Sequence, residues 1–487
     1  MAKQKNSWSL PGNKQTAAAS NLTLSLHQQI EITADNIGIN GEGVARFQNM
    51  TVFCDGFLPG ETAKAEIIEL HKTFVRAKLL EILVSSPQRQ EPPCQYYDQC
   101  GGCQLQHWQY EAQVAWKEQQ VKEQLRRLAK IEPQLQPILA AEQPYAYRNK
   151  IQMPTGMQDG KKVIGLYENN SHRIVDIKRC LLQSPLGNKV LQIVREEIFQ
   201  SKLSFYNETA NFGQLRHIMI RTNREDTAAL LTLVINGSTI PDEKQMVENL
   251  VHQIPELTGI LLNSNSEKGN TVLGEKSRLL WGYDTLEDKI GNAAFLVSDR
   301  SFFQVNRFQT ERLYQIVAEY ARQIGPVHLL DAYCGIGSIG LFLAKWQGSA
   351  ETEPSTLDLK KIVGVEISAI AVKDAEKNAL QNQVINAVYY TGKCEEVLPK
   401  LAQQGITFDC AVFDPPRQGC QPEFLQAIAK AEIKNLIYVS CNPNTLARDI
   451  ALLLDLGYEV VTGQAVDMFP MTTHVETVVW MSREVAK

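Results

Sequence analysis

The chain has 487 residues, of which 44% are hydrophobic and 21% charged, and its formal net charge is −5. This length favours two or three domains, and the sequence predicts no membrane span, because no apolar run reaches the roughly 18 residues that a span needs. The acidic balance argues against a general binder of polyanions, although a local basic face is enough to bind nucleic acid. Residues 1–21 are polar and have no apolar signal core, which predicts a disordered tail and a cytoplasmic protein.

Residues 22–86 consist of strand-like runs divided by turns. The turns fall at 41–43 and 55–60, where glycines interrupt the runs. This pattern predicts a small β-barrel of five strands. The proline-rich segment 87–93 then ends the unit and acts as a linker.

The next region, residues 87–300, mixes strand-like runs with helical segments, which predicts a central α+β domain. One helix is expected from about Gln109 to Lys130, where apolar residues fall at helical spacing. Lys117 and Lys122 lie between those apolar positions. They predict a solvated basic face on an amphipathic helix.

Four cysteines are the main chemical signal of this region. The chain has ten cysteines, and without a signal peptide they favour free thiols, metal ligands or catalysis over disulfides. The four that form a group are Cys94, Cys100, Cys103 and Cys180. Four thiolates suit a zinc ion or an iron–sulfur cluster, and their spacing leaves both open.

From about residue 301 onward, short apolar runs alternate with helical segments. This alternation predicts a doubly wound parallel sheet of the α/β class. Each of four runs ends in small or polar residues, and ligands bind at the carboxyl ends of the strands in such sheets. The insert at 347–360 is predicted to be an exposed loop.

A GxGxxG pattern lies within Asp331–Gly340, at the end of the first of these runs. Its glycines would let a ligand approach the backbone between strand and helix, and the pattern alone also suits a dinucleotide. The next run ends in Glu366. An acid at that position can accept both hydroxyls of an adenosine ribose, or it can cap the following helix.

Three further polar residues lie at strand ends in this half of the chain. Asp414 is followed by two prolines, which stiffen the backbone and hold the carboxylate in place. Cys441 lies in a polar loop after the fourth run, where a substrate would lie, whereas Cys410 is expected to be structural. Glu476 precedes a final apolar strand, where a carboxylate is costly unless it is paired, used in chemistry or turned to solvent.

Five ordered motifs resemble those of the RNA uridine-5-methyltransferase family: DAYCGIGSIG, GVEIS, FDPPRQG, YVSCNPNTLARD and DMFPMTTHVETV. FFQVN at 302–306 matches as well. The resemblance implies that residues 301–487 form a Rossmann-like domain that binds S-adenosylmethionine. Four residues match the family's cofactor-binding positions: Gln304, Tyr333, Glu366 and Asp414. Ser338 is a weaker candidate, because it rests only on its place in the glycine loop.

The family's reaction explains why these residue types are needed. Carbon 5 of uracil is too weak a nucleophile to attack a methyl sulfonium, and a thiolate that adds to carbon 6 makes it reactive. After methylation a base must remove the proton from carbon 5, and elimination then frees the cysteine. The resemblance assigns the nucleophile to Cys441 and the base to Glu476.

The N-terminal half carries a second resemblance. CGGCxxQH at 100–107 is similar to the branch of this family that methylates 23S ribosomal RNA and holds a [4Fe–4S] cluster on four cysteines. Residues 22–86 resemble the small RNA-binding barrel known as TRAM. Its candidate RNA face, for which ordinary strand residues are the alternative, comprises His71, Lys72, Phe74 and Arg76. The implied partner is structured RNA, with no membrane and no protein partner.

Three rival functions stay open at this point. A transfer-RNA uridine-5-methyltransferase is the nearest, although that branch typically lacks the cysteine group and the barrel. A non-catalytic RNA-binding protein or chaperone on the same scaffold would not need Cys441 and Glu476. A nicotinamide oxidoreductase would not need the motifs around Asp414 and Cys441.

Overall fold

The structure is a computed structural model that describes residues 24–348 and 356–483. The chain divides into two compact units, Met1–Arg89 and Gln90–Lys487. The predicted tail at 1–21 and residues 349–355 of the predicted loop lie outside the described residues. Within the described ranges, no helix combines the length and the apolar character that a membrane crossing requires.

The first unit is a closed barrel with the strand order β1-β2-β3-β5-β4. Its strands are β1 (Gln29–Ile37), β2 (Gly43–Phe47), β3 (Met50–Cys54), β4 (Thr62–Leu70) and β5 (Phe74–Val84). Alternate residues of β1, such as Ile30 and Ile32, point into the barrel core, as the two-residue period of a strand requires. Gly43 is needed where β2 passes the chain at Phe57, because a Cβ atom there would lie 2.4 Å from the Phe57 carbonyl oxygen. The predicted five-stranded barrel is confirmed.

The second unit contains the remaining elements. Its helices are α1 (Tyr110–Gln124), α2 (Pro185–Gln200), α3 (Glu243–Gln253), α4 (Gln309–Ile324), α5 (Ser338–Lys345), α6 (Ala369–Gln381), α7 (Cys394–Gln403), α8 (Pro422–Lys430) and α9 (Pro443–Asp455). Its first strands are β6 (Leu135–Leu139), β7 (Lys150–Gln158), β8 (Lys161–Tyr167), β9 (Ile174–Asp176), β10 (Leu215–Thr222), β11 (Ala229–Ile235), β12 (Leu257–Ser264), β13 (Lys276–Gly282), β14 (Thr285–Ile290) and β15 (Ala293–Ser298). Its last strands are β16 (His328–Ala332), β17 (Lys361–Glu366), β18 (Ala387–Thr391), β19 (Cys410–Phe413), β20 (Asn435–Ser440), β21 (Glu459–Val466) and β22 (Glu476–Ser482).

These strands form a seven-stranded sheet, a two-stranded sheet and an eight-stranded sheet. The seven-stranded sheet has the order β13-β12-β11-β10-β7-β8-β9 and the two-stranded sheet pairs β14 with β15. Helix α2 buries Val190, Leu191 and Val194 in the core of the larger of these two sheets. Its N-terminus is capped by Ser184, whose side chain accepts a hydrogen bond from the Gly187 amide.

The eight-stranded sheet has the order β18-β17-β16-β19-β20-β22-β21-β6. The four predicted apolar runs form β17, β16, β19 and β20, which pair in parallel as the sequence predicts. The chain leaves β16 in one direction along the sheet and returns to its other side with β19, so the strand order reverses there. Ligands bind at such a reversal, beyond the carboxyl ends of the strands.

Strand β22 runs antiparallel between β20 and β21. An antiparallel strand begins at the edge of the sheet where its parallel neighbours end. The register pairs Ser440 with Thr477. The start of β22, which is Glu476, therefore lies at the same edge as Cys441.

Helix α1 is solvated on one face only: Lys122 is exposed, as predicted, but the prediction is wrong for Lys117. Gln113 and Lys117 are both fully buried. The helix continues into a π-helical turn, Leu125–Ala129, and its Val121 and Leu125 join the core beneath the eight-stranded sheet. Just after it, β6 adds the outermost strand to that sheet by pairing in parallel with β21. The segment assigned to a separate central domain thus contributes to the sheet that carries the candidate site.

Candidate active site

The glycine loop after β16 is shaped by three glycines with different roles. Gly335 has a φ of 55° and open space where a side chain would project. Gly337 has a φ of 78°, and a Cβ atom there would lie 2.7 Å from the Tyr389 hydroxyl. Gly340 packs closely, since a Cβ atom would lie 2.8 Å from the Asp331 carboxyl. The loop therefore leaves room for a ligand at Gly335 and brings helix and strand together at Gly340.

Asp331 lies beneath this loop and accepts a hydrogen bond of 2.9 Å from the Gly340 amide. Its side chain is buried, with 1% of the residue exposed. Burial raises the pKa of the Asp331 carboxyl to about 7. This acid therefore supports the loop rather than facing a ligand.

Replacing Asp331 with asparagine is expected to make the stability of the free protein less dependent on pH. Between about pH 4 and pH 7 the folded carboxyl keeps its proton while the unfolded one ionises. The free energy of unfolding then falls by roughly 1.4 kcal/mol per pH unit. The stability that the protonated Asp331 carboxyl contributes is fully present below about pH 4 and is lost as the pH rises through about 7.

Melting temperatures measured across this pH range should therefore fall less steeply for Asp331→Asn than for the wild type. The control is Asp358→Asn, which removes an exposed carboxylate that pairs with Lys360 and should keep the wild-type slope. An Asp331→Asn variant with an unchanged slope would contradict the raised pKa.

Glu366 ends β17 and faces the glycine loop. One of its carboxylate oxygens accepts a hydrogen bond of 3.2 Å from the Gly335 amide, and the other accepts one of 2.8 Å from the Ser368 amide. The cap of α6 is Ser368, whose side chain accepts from the Ala371 amide. The Glu366 side chain thus contacts the N-terminal end of α6, although Ser368 is the N-cap residue. A carboxylate has further acceptor positions for ligand hydroxyl groups.

Gln304 and Asp414 are brought together although 110 residues separate them. The Gln304 side-chain amide donates a hydrogen bond of 3.2 Å to the Asp414 carboxylate. The backbone carbonyl of Gln304 accepts a hydrogen bond of 3.1 Å from the Asn149 side-chain amide. Burial raises the pKa of Asp414 to about 7, and the hydrogen bond from Gln304 acts in the opposite direction.

Tyr333 and Ser338 lie in the glycine loop itself. Tyr333 has a φ of 58°, and its ring packs edge-to-face on Phe424 with the ring centres 5.2 Å apart. The Ser338 hydroxyl is hydrogen-bonded to the Tyr314 hydroxyl at 2.8 Å. Strand pairing places Tyr333, Glu366 and Asp414 side by side, because Ala332 pairs with both Val365 and Phe413.

Cys441 and Glu476 occupy the same edge. Cys441 is half-buried, whereas only 3% of Glu476 is exposed, so its carboxyl is not turned to solvent. One Glu476 carboxyl oxygen has no hydrogen-bond partner among the described residues. Burial, together with the charges of Glu476 and Asp414, raises the pKa of the Cys441 thiol to about 12, while Arg417 acts in the opposite direction. Burial and Asp414 also hold the pKa of Glu476 well above its usual range.

Arg417 is a residue of this edge that the sequence analysis did not single out. Its guanidinium donates to the His474 ring at 3.0 Å. Burial, and then the charge of Arg417, lowers the pKa of His474 to about 4, so the ring is neutral and can accept this hydrogen bond. The Arg417 carbonyl accepts from the Asn442 side chain at 3.2 Å, directly after Cys441. Its place in FDPPRQG, three residues after Asp414, was the available signal.

The four grouped cysteines line one cavity of about 270 Å³. All four are free of disulfides, and burial raises the pKa of Cys103 to about 12, with Cys180 and Cys100 adding to the effect. Arg148, Lys150 and Arg179 line the same cavity. Within the described parts of the chain, no group of three or more His, Cys, Asp or Glu side chains is placed to hold a metal ion.

The fold is a Rossmann-like parallel sheet, and a half-buried cysteine and a buried carboxyl group lie at the edge where such sheets bind ligands. The family model described as tRNA (uracil-5-)-methyltransferase matches residues 109–484. The TRAM domain model matches residues 27–80. The chain belongs to the tRNA (uracil-5-)-methyltransferase family and is an RNA methyltransferase with a TRAM domain.

Relatives of known sequence and of known structure resemble most of the chain. It is 41% identical over 456 residues to a protein named as an uncharacterized RNA methyltransferase of Clostridium acetobutylicum, covering 93% of this chain and 96% of the relative. A protein of the same description from Listeria innocua is 40% identical, covering 93% and 98%. The crystal structure of Pyrococcus abyssi tRNA (uracil-54, C5)-methyltransferase has a TM-score of 0.72 at 24% identity, covering 93% and 99%.

Proposed function

We propose that this protein transfers a methyl group from S-adenosylmethionine to carbon 5 of a uridine in RNA, through a covalent bond between Cys441 and carbon 6. The observation that carries the proposal is the position of Glu476. It is buried at the start of an antiparallel strand, at the same edge as Cys441 and Asp414. A purely RNA-binding scaffold has no need of a buried carboxyl group there.

The residues around the glycine loop fit S-adenosylmethionine. The open space at Gly335 admits a ligand close to the backbone, and Glu366 has acceptor capacity for ribose hydroxyls. Gln304, Tyr333 and Asp414 lie at the same edge, and Ser338 begins the helix that follows the glycine loop. When bound, S-adenosylmethionine supplies an electrophilic methyl group. The solved relative from Pyrococcus abyssi is a complex with S-adenosyl-L-homocysteine, which supports this choice of cofactor.

The first step requires the Cys441 thiol to lose its proton to solvent water. In the free protein the charges of Glu476 and Asp414 oppose this ionisation. A positively charged cofactor would offset those charges, so we expect the thiolate to form when the cofactor is bound. Arg417 favours the same ionisation. The thiolate then forms a bond to carbon 6 of uracil, and the displaced electron pair makes carbon 5 nucleophilic.

The last step requires a base. After carbon 5 has accepted the methyl group, it still holds its proton, which the Glu476 carboxylate accepts. The electron pair released from the carbon–hydrogen bond restores the double bond, and the bond between carbon 6 and Cys441 breaks. Arg417 acts against the raised pKa of Glu476 and so favours the ionised form that the step needs.

We propose that Cys94, Cys100, Cys103 and Cys180 hold a [4Fe–4S] cluster. They line one cavity, and Arg148 and Arg179, which line it as well, supply positive charge around it. The four thiolates would hold the cluster, since four cysteines are the ligand set that a [4Fe–4S] cluster uses. The reaction includes no redox step, and we therefore assign the cluster a structural or RNA-positioning role.

Protein purified without oxygen is expected to be brown and to contain about four irons per chain, as a four-cysteine cubane requires. Cys100→Ser should lose the colour and weaken RNA binding or folding, while the remaining folded protein should still bind S-adenosylmethionine. Cys54→Ser, which changes a buried cysteine of the barrel, should keep the iron. Iron and zinc analysis checks this prediction, and stoichiometric zinc without iron would overturn it.

The proposed substrate is large-subunit (23S) ribosomal RNA, because the cysteine pattern resembles the branch that acts on it. The barrel offers a stacking face, where the His71 ring stacks on Phe74 with ring centres 4.2 Å apart and Lys72 is exposed. Transfer RNA is the second candidate, since the Pyrococcus abyssi relative is named for uracil 54 of tRNA.

The cytoplasmic location stays a prediction.

Mapping 5-methyluridine in total RNA from a strain that lacks this gene tests the proposal. We expect the modification to disappear from large-subunit ribosomal RNA and to persist in transfer RNA, and a plasmid copy should restore it. Loss from transfer RNA alone would make the second candidate the substrate. If no 5-methyluridine is lost, the proposed activity is wrong and a non-catalytic role is favoured.

A further inference from the structure

The segment that leads to Glu476 is held by a distant part of the chain. We call residues 467–475, which connect β21 to β22, the base loop. Backbone and side-chain groups of residues 104–147 hydrogen-bond to this loop over a sequence distance of more than 300 residues. These contacts lie within the second unit. They fix residues 467–471, the first part of the loop that leads to the proposed catalytic base.

A buried ion pair is the first of these contacts. The Lys117 ammonium group donates a hydrogen bond of 2.6 Å to the Asp467 carboxylate, and neither side chain is exposed. Lys117 also donates to the Phe469 carbonyl at 3.0 Å. The Tyr110 hydroxyl donates to the second Asp467 oxygen at 2.8 Å. Helix α1 thus holds the first three residues of the base loop from one side.

Gln113 and the two residues after Cys103, Gln104 and Leu105, hold the middle of the loop. The Gln113 side-chain carbonyl accepts from the Met471 amide at 3.2 Å, and its amide group donates to the Leu105 carbonyl at 2.9 Å. The Met471 carbonyl accepts from the Gln104 and Leu105 amides at 3.0 and 3.1 Å. Met471 has a φ of 67°, which is uncommon for a residue other than glycine. Contacts from outside the loop maintain this conformation.

Glu476 has no comparable support of its own. One of its carboxyl oxygens lacks a hydrogen-bond partner among the described residues, so side-chain contacts do not fully fix its position. We infer that Lys117, through its ion pair with Asp467, positions the base loop and so aims Glu476 at the substrate. The inference rests on the proposed role of Glu476 as the base. Lys117 and Asp467 are positioning residues, since they act through the loop backbone.

The test is the double variant Lys117→Met/Asp467→Asn, which removes both buried charges and leaves neither unpaired. We expect multiple turnover to fall roughly 10- to 100-fold, because a small misplacement of a catalytic group has an effect of this size. Cofactor binding and single-turnover methyl transfer should stay within about twofold of wild type, while a methylated covalent complex with RNA accumulates. Lys122→Met, on the exposed side of the same helix, is the matched control and should behave as wild type.

Glu476→Gln is measured in parallel to separate the two hypotheses. If it does not accumulate the methylated complex, the proposed base is wrong. The positioning role is wrong if Glu476→Gln accumulates the methylated complex but the double variant does not behave in the same way. The double variant would then either turn over normally or lose cofactor binding, methyl transfer and turnover to the same degree. Gln113→Met covers the case in which the double variant does not fold. It removes the hydrogen bond to Met471 without placing a charge in the core, and it should show the same accumulation to a smaller degree.

Discussion

Cys441→Ala is expected to abolish both methyl transfer and the covalent complex with RNA that contains 5-fluorouridine. Fluorine at carbon 5 cannot leave as a proton does, so the wild-type adduct should persist after methyl transfer. It should migrate as a protein–RNA band on a denaturing gel. Without the thiol there is no bond to carbon 6, and carbon 5 stays unreactive. Turnover should fall by at least about 10⁴-fold, as expected when a covalent nucleophile is removed.

The matched control is Cys420→Ala, which changes a buried cysteine in the loop after β19. Because that side chain is enclosed in the core, the variant should keep the adduct even if it is less stable. A Cys441→Ala protein that still cross-links and methylates RNA would show that another group is the nucleophile.

Glu476→Gln is expected to stop the reaction one step later. Cys441 can still add to carbon 6, and carbon 5 can still accept the methyl group, but nothing removes the remaining proton. Methylated covalent complex should accumulate with ordinary RNA, and turnover should fall by roughly 10²- to 10⁴-fold, the range for a positioned base. Gels of reactions with a labelled methyl donor measure the covalent complex, and the labelled methyl groups in free RNA measure turnover.

For this prediction the control is Glu459→Gln, which changes an exposed residue at the start of β21 and should turn over normally. Two outcomes would contradict the assignment. One is full turnover by Glu476→Gln, and the other is a variant that binds RNA and cofactor but forms no adduct.

Much of the sheet was predictable because its information is local. Short apolar runs that end in polar residues predict parallel strands, and the carboxyl ends of such strands share one edge. That logic alone places Tyr333, Glu366 and Asp414 side by side, as the strand pairing has them. The barrel was predictable for the same reason, since turns and strand-like runs follow one another within 65 residues.

The contacts that hold the edge together were not predictable. Lys117 lies between apolar positions of an amphipathic helix, and nothing near it in sequence reveals that Asp467 neutralises its charge. Strand β6 contains Pro137, which weakens a strand prediction yet is tolerated on the outermost strand of a sheet. The Arg417–His474 contact spans 57 residues. Each depends on tertiary pairing, which a local pattern does not encode.

The cysteine group is an intermediate case. Its composition predicted thiolate chemistry, and the structure places all four side chains around one cavity. What the spacing could not convey is that Gln104 and Leu105, beside Cys103, hydrogen-bond to the Met471 carbonyl. The segment that carries the cysteines therefore contacts the loop that precedes Glu476.

Release of tritium from RNA labelled at carbon 5 of uridine measures the central claim most directly. The purified protein would be incubated with S-adenosylmethionine and labelled RNA from a strain lacking the gene, with methyl incorporation followed in parallel. One tritium should be released for each methyl group transferred, because methylation at carbon 5 replaces the hydrogen there. Methyl incorporation without tritium release would place the methyl group elsewhere on the RNA and contradict the account.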